Sequence, residues 1–203
     1  MEGGGGRTAL LIDGARRVGK THVALEFAKR EYKTFLFIDF NRAGSAVKNL
    51  FNEGLEDLDT FFATLSALYN VRLHRRESLV VFDEVQLFPR ARAAIKYLVE
   101  DGRFDYLETG SLMSIKRNVQ DIVIPSEEEH VRMFPMDFEE FLWALGYETL
   151  MPFIQECFAN KRALGQALHH KAMDLFRQYM IVGGMPQVVD NFARNRDFAL
   201  ADE

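Results

Sequence analysis

The stretch that most constrains this chain is Gly14-Ala15-Arg16-Arg17-Val18-Gly19-Lys20-Thr21, which spells G-x-x-x-x-G-K-T. Before it runs an apolar segment, Leu10-Leu11-Ile12, and after it an amphipathic one carrying Val23, Ala24, Phe27 and Ala28. A strand that enters a glycine-rich turn and leaves as a helix points successive backbone N–H groups at one place, with the positive end of the helix behind them. That arrangement suits a chain of phosphates: Lys20 reaches the β- and γ-phosphates and the Thr21 hydroxyl ligates Mg²⁺. The alternative, a glycine-rich connection that binds nothing, is disfavoured by the strand and helix on either side. The candidate nucleotide contacts are therefore Gly14, Ala15, Arg16, Arg17, Val18, Gly19, Lys20, Thr21 and His22.

The rest of the chain reads as alternating strands and helices, then helices alone. Thr34–Phe40 is almost continuously apolar, as a strand covered on both faces should be. Leu58, Phe61, Phe62, Leu65, Leu68 and Tyr69 form one helical stripe, read as core rather than ligand site. Ser78–Phe82 is a further strand ending in Asp83 and Glu84, and Pro89 opens a helix that Gly102 stops. Phe104–Ser111 reads as a fourth strand and Val131–Phe134 as a fifth, closed by Pro135. From about residue 136 the pattern is helical: Asp137 and Glu140 have capping-box spacing, a longer helix spans roughly Arg162 to Tyr179, and a short one follows Gly183-Gly184-Met185-Pro186. The expectation is a parallel α/β core over 1–135 and a small helical lid over 136–203.

The second carboxylate strand says which chemistry the loop serves. Asp83, after a run of apolar residues, is the expected second magnesium partner, and Glu84, on the other side of the pleat, is placed to activate a water attacking the γ-phosphate. A solvated strand end is the plainer reading of an Asp-Glu pair, and the upstream loop argues against it. Ser111, at the end of the fourth strand, is the candidate sensor of the γ-phosphate. Candidate catalytic residues are thus Glu84, Lys20 and Ser111, and candidate metal ligands Thr21 and Asp83.

Gly14–Thr21, Phe82–Gln86, Glu108–Ser111, Phe134–Leu142 and Val182–Pro186 together resemble the AAA-type ATPase domain of a large prokaryotic family. The resemblance covers about Leu10 to Phe192, and its most family-specific block is Phe134–Leu142. It implies an additional-strand P-loop fold with sheet order 5-1-4-3-2, ATP rather than GTP as the nucleotide, and Mg²⁺ as the metal. It also implies that Gly184 and Pro186 belong to a glycine-x-proline turn that covers the adenine, although a simple helix–helix turn explains the same residues. Members usually continue into a C-terminal domain with a nuclease-like fold, so the expectation is a fragment whose protein or nucleic-acid partner acts through that missing domain. Arg117 and Arg132 are the candidates for an arginine acting in trans.

Composition narrows the alternatives. A net charge of −5 on 203 residues gives no electrostatic case for nucleic acid or an anionic membrane as partner. The local cluster Arg72, His74, Arg75 and Arg76 reads as a solvated face. Cys157 is alone, which excludes an internal disulfide and suits a reducing cytoplasm. No apolar run reaches membrane-spanning length and the glycine-rich lead-in has no signal-peptide character. Trp143 reads as a core or interface aromatic, His169-His170 as a poor metal pair, and Glu127-Glu128-Glu129 as an exposed hairpin tip. The expected activity is Mg²⁺-dependent ATP hydrolysis. A nucleotide-gated switch with little turnover is the alternative, and a small-molecule kinase is disfavoured because Glu84 suits water.

Overall fold

The computed structural model describes residues 8–111 and 128–198. The chain divides into two compact units, residues 1–133 and 134–203. In the first, the apolar runs become β1 (Ala9–Gly14), β2 (Thr34–Asp39), β3 (Ser78–Asp83), β4 (Asp105–Gly110) and β5 (Glu128–Met133). All pair in parallel in the order β2-β3-β4-β1-β5, the order that the resemblance implies. The most central strand in sequence character is β3, whose six residues are all buried.

Between the strands run α1 (Lys20–Glu31), α2 (Ser45–Glu53), α3 (Leu58–Tyr69) and α4 (Pro89–Asp101). Two-sided cover explains why the strands are near-continuous apolar runs rather than alternating ones. On one face Ala24 and Ala28 of α1 pack on Ile12, Leu79, Val81 and Leu107. On the other, α2, α3 and α4 bury Phe51, Phe61, Leu65 and Ile95 against Leu11, Leu36, Val80 and Phe82. Phe51 sits in an aromatic group, edge-on to Phe40, Phe61, Phe82 and Phe88 at centroid distances of 5.1–6.0 Å. The stripe read as core from α3 is core at Phe61, Phe62 and Leu65, while Leu68 is half-exposed.

The strand β5 begins earlier than its apolar residues suggest, and this corrects the reading of the acidic run. Glu128 and Glu129 are not a hairpin tip: they open β5, and the Glu128 side chain is completely buried. Arg92 of α4, itself 2% exposed, meets it in a fork, Nη2 to Oε2 at 2.8 Å and Nε to Oε1 at 3.3 Å. A planar guanidinium matched to a carboxylate lets an acidic residue enter a core. Beside them Glu108 is fully buried, and burial together with the Glu128 carboxylate holds its carboxyl well above the usual range. Glu127 lies outside the described residues.

The second unit contains α5 (Phe138–Ala144), α6 (Leu150–Ala159), α7 (Gln166–Val182) and α8 (Pro186–Asn195). Phe141, Leu142, Leu175, Val189 and Phe192 form its core. The capping box at α5 is complete: the Glu140 N–H donates to Asp137 Oδ1 and the Asp137 N–H to Glu140 Oε2, both at 2.9 Å. Helix α6 has no counterpart in the sequence reading. Pro152 stands at its third position, where the missing N–H is one the first turn leaves unpaired in any case. Trp143 is half-exposed, not core.

Candidate functional site

The site residues gather at the carboxyl ends of β1, β3 and β4, which the register aligns. Phe82 is level with Glu108, and Leu10–Asp13 with Leu107–Gly110. Side chains of Asp83 and Thr109 therefore lie side by side on the face that α1 covers. Gly14 ends β1 against β5, and a Cβ there would stand 2.2 Å from the Met133 carbonyl oxygen. The first glycine of the motif is thus fixed by strand packing as well as by the turn. The loop then runs through Arg17 (φ 66°) and Gly19 (φ 95°) into α1.

Within the loop, Ala15, Arg16 and Arg17 are exposed and Val18 is buried, and His22, in the first turn of α1, is exposed. Lys20 is buried, and its ammonium donates to the carbonyls of Ala15 at 2.8 Å and Gly14 at 3.3 Å. Burial lowers its pKa, and the nearby carboxylates of Glu84 and then Asp83 act against that. A cation held over the loop by two carbonyls is close to the atoms a phosphate would meet.

Thr21 and Asp83 come together, as the motif spacing predicts. The Thr21 hydroxyl donates to Asp83 Oδ1 at 2.8 Å. The same oxygen accepts from the Thr109 hydroxyl at 2.5 Å, and Thr109 in turn accepts the Glu84 N–H at 3.2 Å. Three strands' worth of site are thereby tied by one hydrogen-bond chain. Burial raises the Asp83 pKa, with the two threonine hydroxyls opposing it. A buried carboxylate beside a hydroxyl is a pair of hard oxygen donors, the donor set that Mg²⁺ takes.

Two features of this chain were not read from the sequence. Thr109, fully buried, supplies the contact to Asp83, whereas the sensor expectation rested on Ser111, which is buried just beyond β4. Strand alternation puts both residues on one side of β4; only the register shows that Thr109 is the one level with Asp83. The reading of Glu84 as the opposite face of the pleat is also corrected. β3 ends at Asp83, and Glu84 adopts a left-handed conformation, φ 54° and ψ 43°, at the start of a 3-10 turn over Val85–Leu87.

Gly184 and Pro186 lie in the helical unit, where local structure accounts for both. A Cβ on Gly184 would stand 2.1 Å from the Met136 carbonyl oxygen, and Pro186 is the first residue of α8. Arg132 leaves β5 half-exposed, its Nε 3.5 Å from Oδ1 of the buried Asp13. Arg117 lies outside the described residues. Arg76 of the basic cluster is engaged with Asp105 at 3.2 Å. A cavity of about 610 Å³, lined by Tyr32, Phe35, Phe37, Tyr69 and Arg72 among others, lies at the opposite end of the strands from the loop. Among the described residues no cluster of His, Cys, Asp or Glu is arranged to hold a metal by itself, and no helix is long and apolar enough to cross a membrane.

Comparison with known proteins adds a family. No curated protein matches the chain. Among solved structures, the Orc1 protein of Aeropyrum pernix in complex with DNA aligns with 86% of this chain and 61% of its own, at 12% identity and a TM-score of 0.42. PCH-2 of C. elegans aligns with 96% of this chain and 58% of its own, at 14% identity and a TM-score of 0.43. The chain thus spans about three fifths of the length of these structures. Residues 6–142, more than half of the 203, match the protein-family model described as an AAA domain, and the chain belongs to that family of ATPase-type nucleotide-binding domains.

Proposed function

We propose that this chain binds Mg-ATP at the Gly14–Thr21 loop and hydrolyses it to ADP and phosphate. The observation that carries the reading is the chain Thr21–Asp83–Thr109–Glu84, which ties the loop, the Asp83 carboxylate, the end of β4 and the backbone of Glu84 together. The backbone N–H groups from Ala15 to His22 and the N-terminus of α1 bind the phosphates, and Lys20 moves from the loop carbonyls to the β- and γ-phosphate oxygens. Thr21 Oγ1 and Asp83 would hold Mg²⁺, which would supply positive charge to the phosphates. Glu84 orients a water and takes its proton as the oxygen attacks the γ-phosphorus; the bond to the β,γ-bridging oxygen breaks and ADP leaves. Ser111 and Thr109 support the site from the end of β4; an adenine-binding role for Gly184 and Pro186 is proposed on the family resemblance alone.

A buried lone cysteine, Cys157, agrees with a reducing compartment, and the cytoplasm is the proposed location. Coupling of turnover to a C-terminal effector domain, and through it to a protein or nucleic-acid partner, is proposed on the family resemblance alone.

Calorimetric titration with Mg-ATP and Mg-GTP, together with phosphate release, tests the reading. ATP-selective binding that Lys20→Ala abolishes, and turnover that Glu84→Gln lowers by about 10²-fold or more, are the expected results. Binding with no turnover in the parent would favour the nucleotide-gated switch instead, and unchanged turnover in Glu84→Gln would remove Glu84 as the base.

A further inference from the structure

We infer that Gln86 is the positioning residue for Glu84: its side-chain amide holds one carboxylate oxygen and leaves the other for the attacking water. The inference rests on the hydrolysis reading above and deepens it. Nothing in phosphate binding or metal ligation requires an amide two residues after the Asp-Glu pair, so the reason for it lies in the local geometry.

Glu84 is unusual in its backbone. It is one of six described non-glycine residues in left-handed conformation, a state uncommon for an L side chain, which its surroundings stabilise. Here they do so from both sides. Its N–H donates to Thr109 Oγ1 at 3.2 Å, and its carbonyl accepts the Leu87 N–H at 2.9 Å, closing the 3-10 turn. Val85, fully buried in the core, anchors that turn, and the Phe88 N–H returns to its carbonyl at 3.0 Å. The Cα of Glu84 is therefore fixed, but a glutamate side chain has three further torsions and would sweep a wide volume.

Gln86 removes that freedom. It is 5% exposed, and its Nε2 donates to Glu84 Oε2. Burying an amide is unfavourable unless it is paired, and an apolar side chain would fill this turn at less cost. What the amide adds is orientation. The carboxylate it holds interacts favourably with the Lys20 ammonium, as that of Asp83 does. One oxygen engaged by an N–H donor leaves the second to accept the proton of a water. A base that is already oriented when the substrate arrives has no reorganisation to undergo in the transition state.

The test is a double-mutant cycle on the full chain, read as single-turnover phosphate release with Mg-ATP affinity from calorimetry. Gln86→Met keeps the side-chain length and removes the donor. It should lower the single-turnover rate by about 10- to 100-fold and leave the Mg-ATP dissociation constant within about threefold. In a Glu84→Gln background the same substitution should change the rate by less than about twofold, because its effect passes through Glu84. Gln86→Asn, which withdraws the amide by one methylene, gives the same comparison if the methionine variant folds poorly. A rate near parental in Gln86→Met, with Glu84→Gln slow, overturns the positioning role and leaves the hydrolysis reading standing. Equal slowing in both backgrounds also overturns it, since Gln86 would then act independently of Glu84. Parental turnover in Glu84→Gln overturns the base assignment, and this inference with it.

Discussion

Thr109→Val keeps the volume and branching of the side chain and removes one hydroxyl. That hydroxyl donates to Asp83 Oδ1 at 2.5 Å and accepts the Glu84 N–H at 3.2 Å, and the residue is completely buried. A hydrogen bond to a charged acceptor contributes about 1.5–3 kcal/mol and an ordinary one about 0.5–1.5 kcal/mol. No cavity opens, so the expected loss is the sum, about 2–4.5 kcal/mol, a large part of a domain stability of about 5–15 kcal/mol. The pH dependence gives a second signature. Burial already raises the Asp83 pKa, and Thr109 is the first of the hydrogen bonds that oppose it. With the hydroxyl gone the pKa rises further. A carboxyl raised in the folded state keeps a proton that the unfolded chain releases, so stability falls as pH rises from the ordinary carboxylate range through the folded value. Thr109→Val should steepen that fall, and Thr109→Ser, which restores the hydroxyl, should recover most of it. Urea unfolding of the three proteins across mildly acidic to neutral pH reads both effects. A valine variant within about 0.5 kcal/mol of the parent, with the same pH slope, would refute the hydrogen-bond chain as drawn.

Two further predictions concern the buried charges on the other face of the sheet. Arg92→Met strands the Glu128 carboxylate beside Glu108 and should destabilise by about 3–5 kcal/mol in urea unfolding, whereas replacing Arg92, Glu108 and Glu128 together by apolar residues of similar volume should be neutral or stabilising. A loss under about 1 kcal/mol in the single variant would show that water reaches the cluster. Glu108 is raised in the fold by burial and by Glu128, so the parent's stability from this residue is present at acid pH and lost as pH rises through the folded value. Glu108→Gln cannot titrate and should flatten that decline; an unchanged pH–stability curve would mean that Glu108 is not the group responsible.

The sheet was legible because its information is local. Strands covered on both faces need continuous apolar runs, and a glycine-rich turn between the first of them and a helix fixes which end carries the site. What could not be read depends on distances between strands. Glu128 looks like part of a solvated acidic run until Arg92, on a helix 36 residues earlier in the chain, is seen to meet it. Thr109 and Ser111 are equivalent in a strand pattern, and the register alone separates them. Helix α6 was hidden by Pro152, whose position in the first turn is harmless but whose residue type argues against a helix.

The departure at Glu84 has a different origin. A strand pattern extended by one residue assigns it to the opposite side of the pleat from Asp83. The left-handed turn after Asp83 breaks that alternation, and the Glu84 carboxylate interacts favourably with the Lys20 ammonium. Such a conformation is costly for a non-glycine residue and no propensity predicts it. It persists because Thr109 fixes the Glu84 N–H, Val85 is locked into the core and Gln86 takes the carboxylate. The strain and the three contacts that impose it are parts of one arrangement. A glycine at position 84 would relieve the backbone and lose the carboxylate proposed as the base.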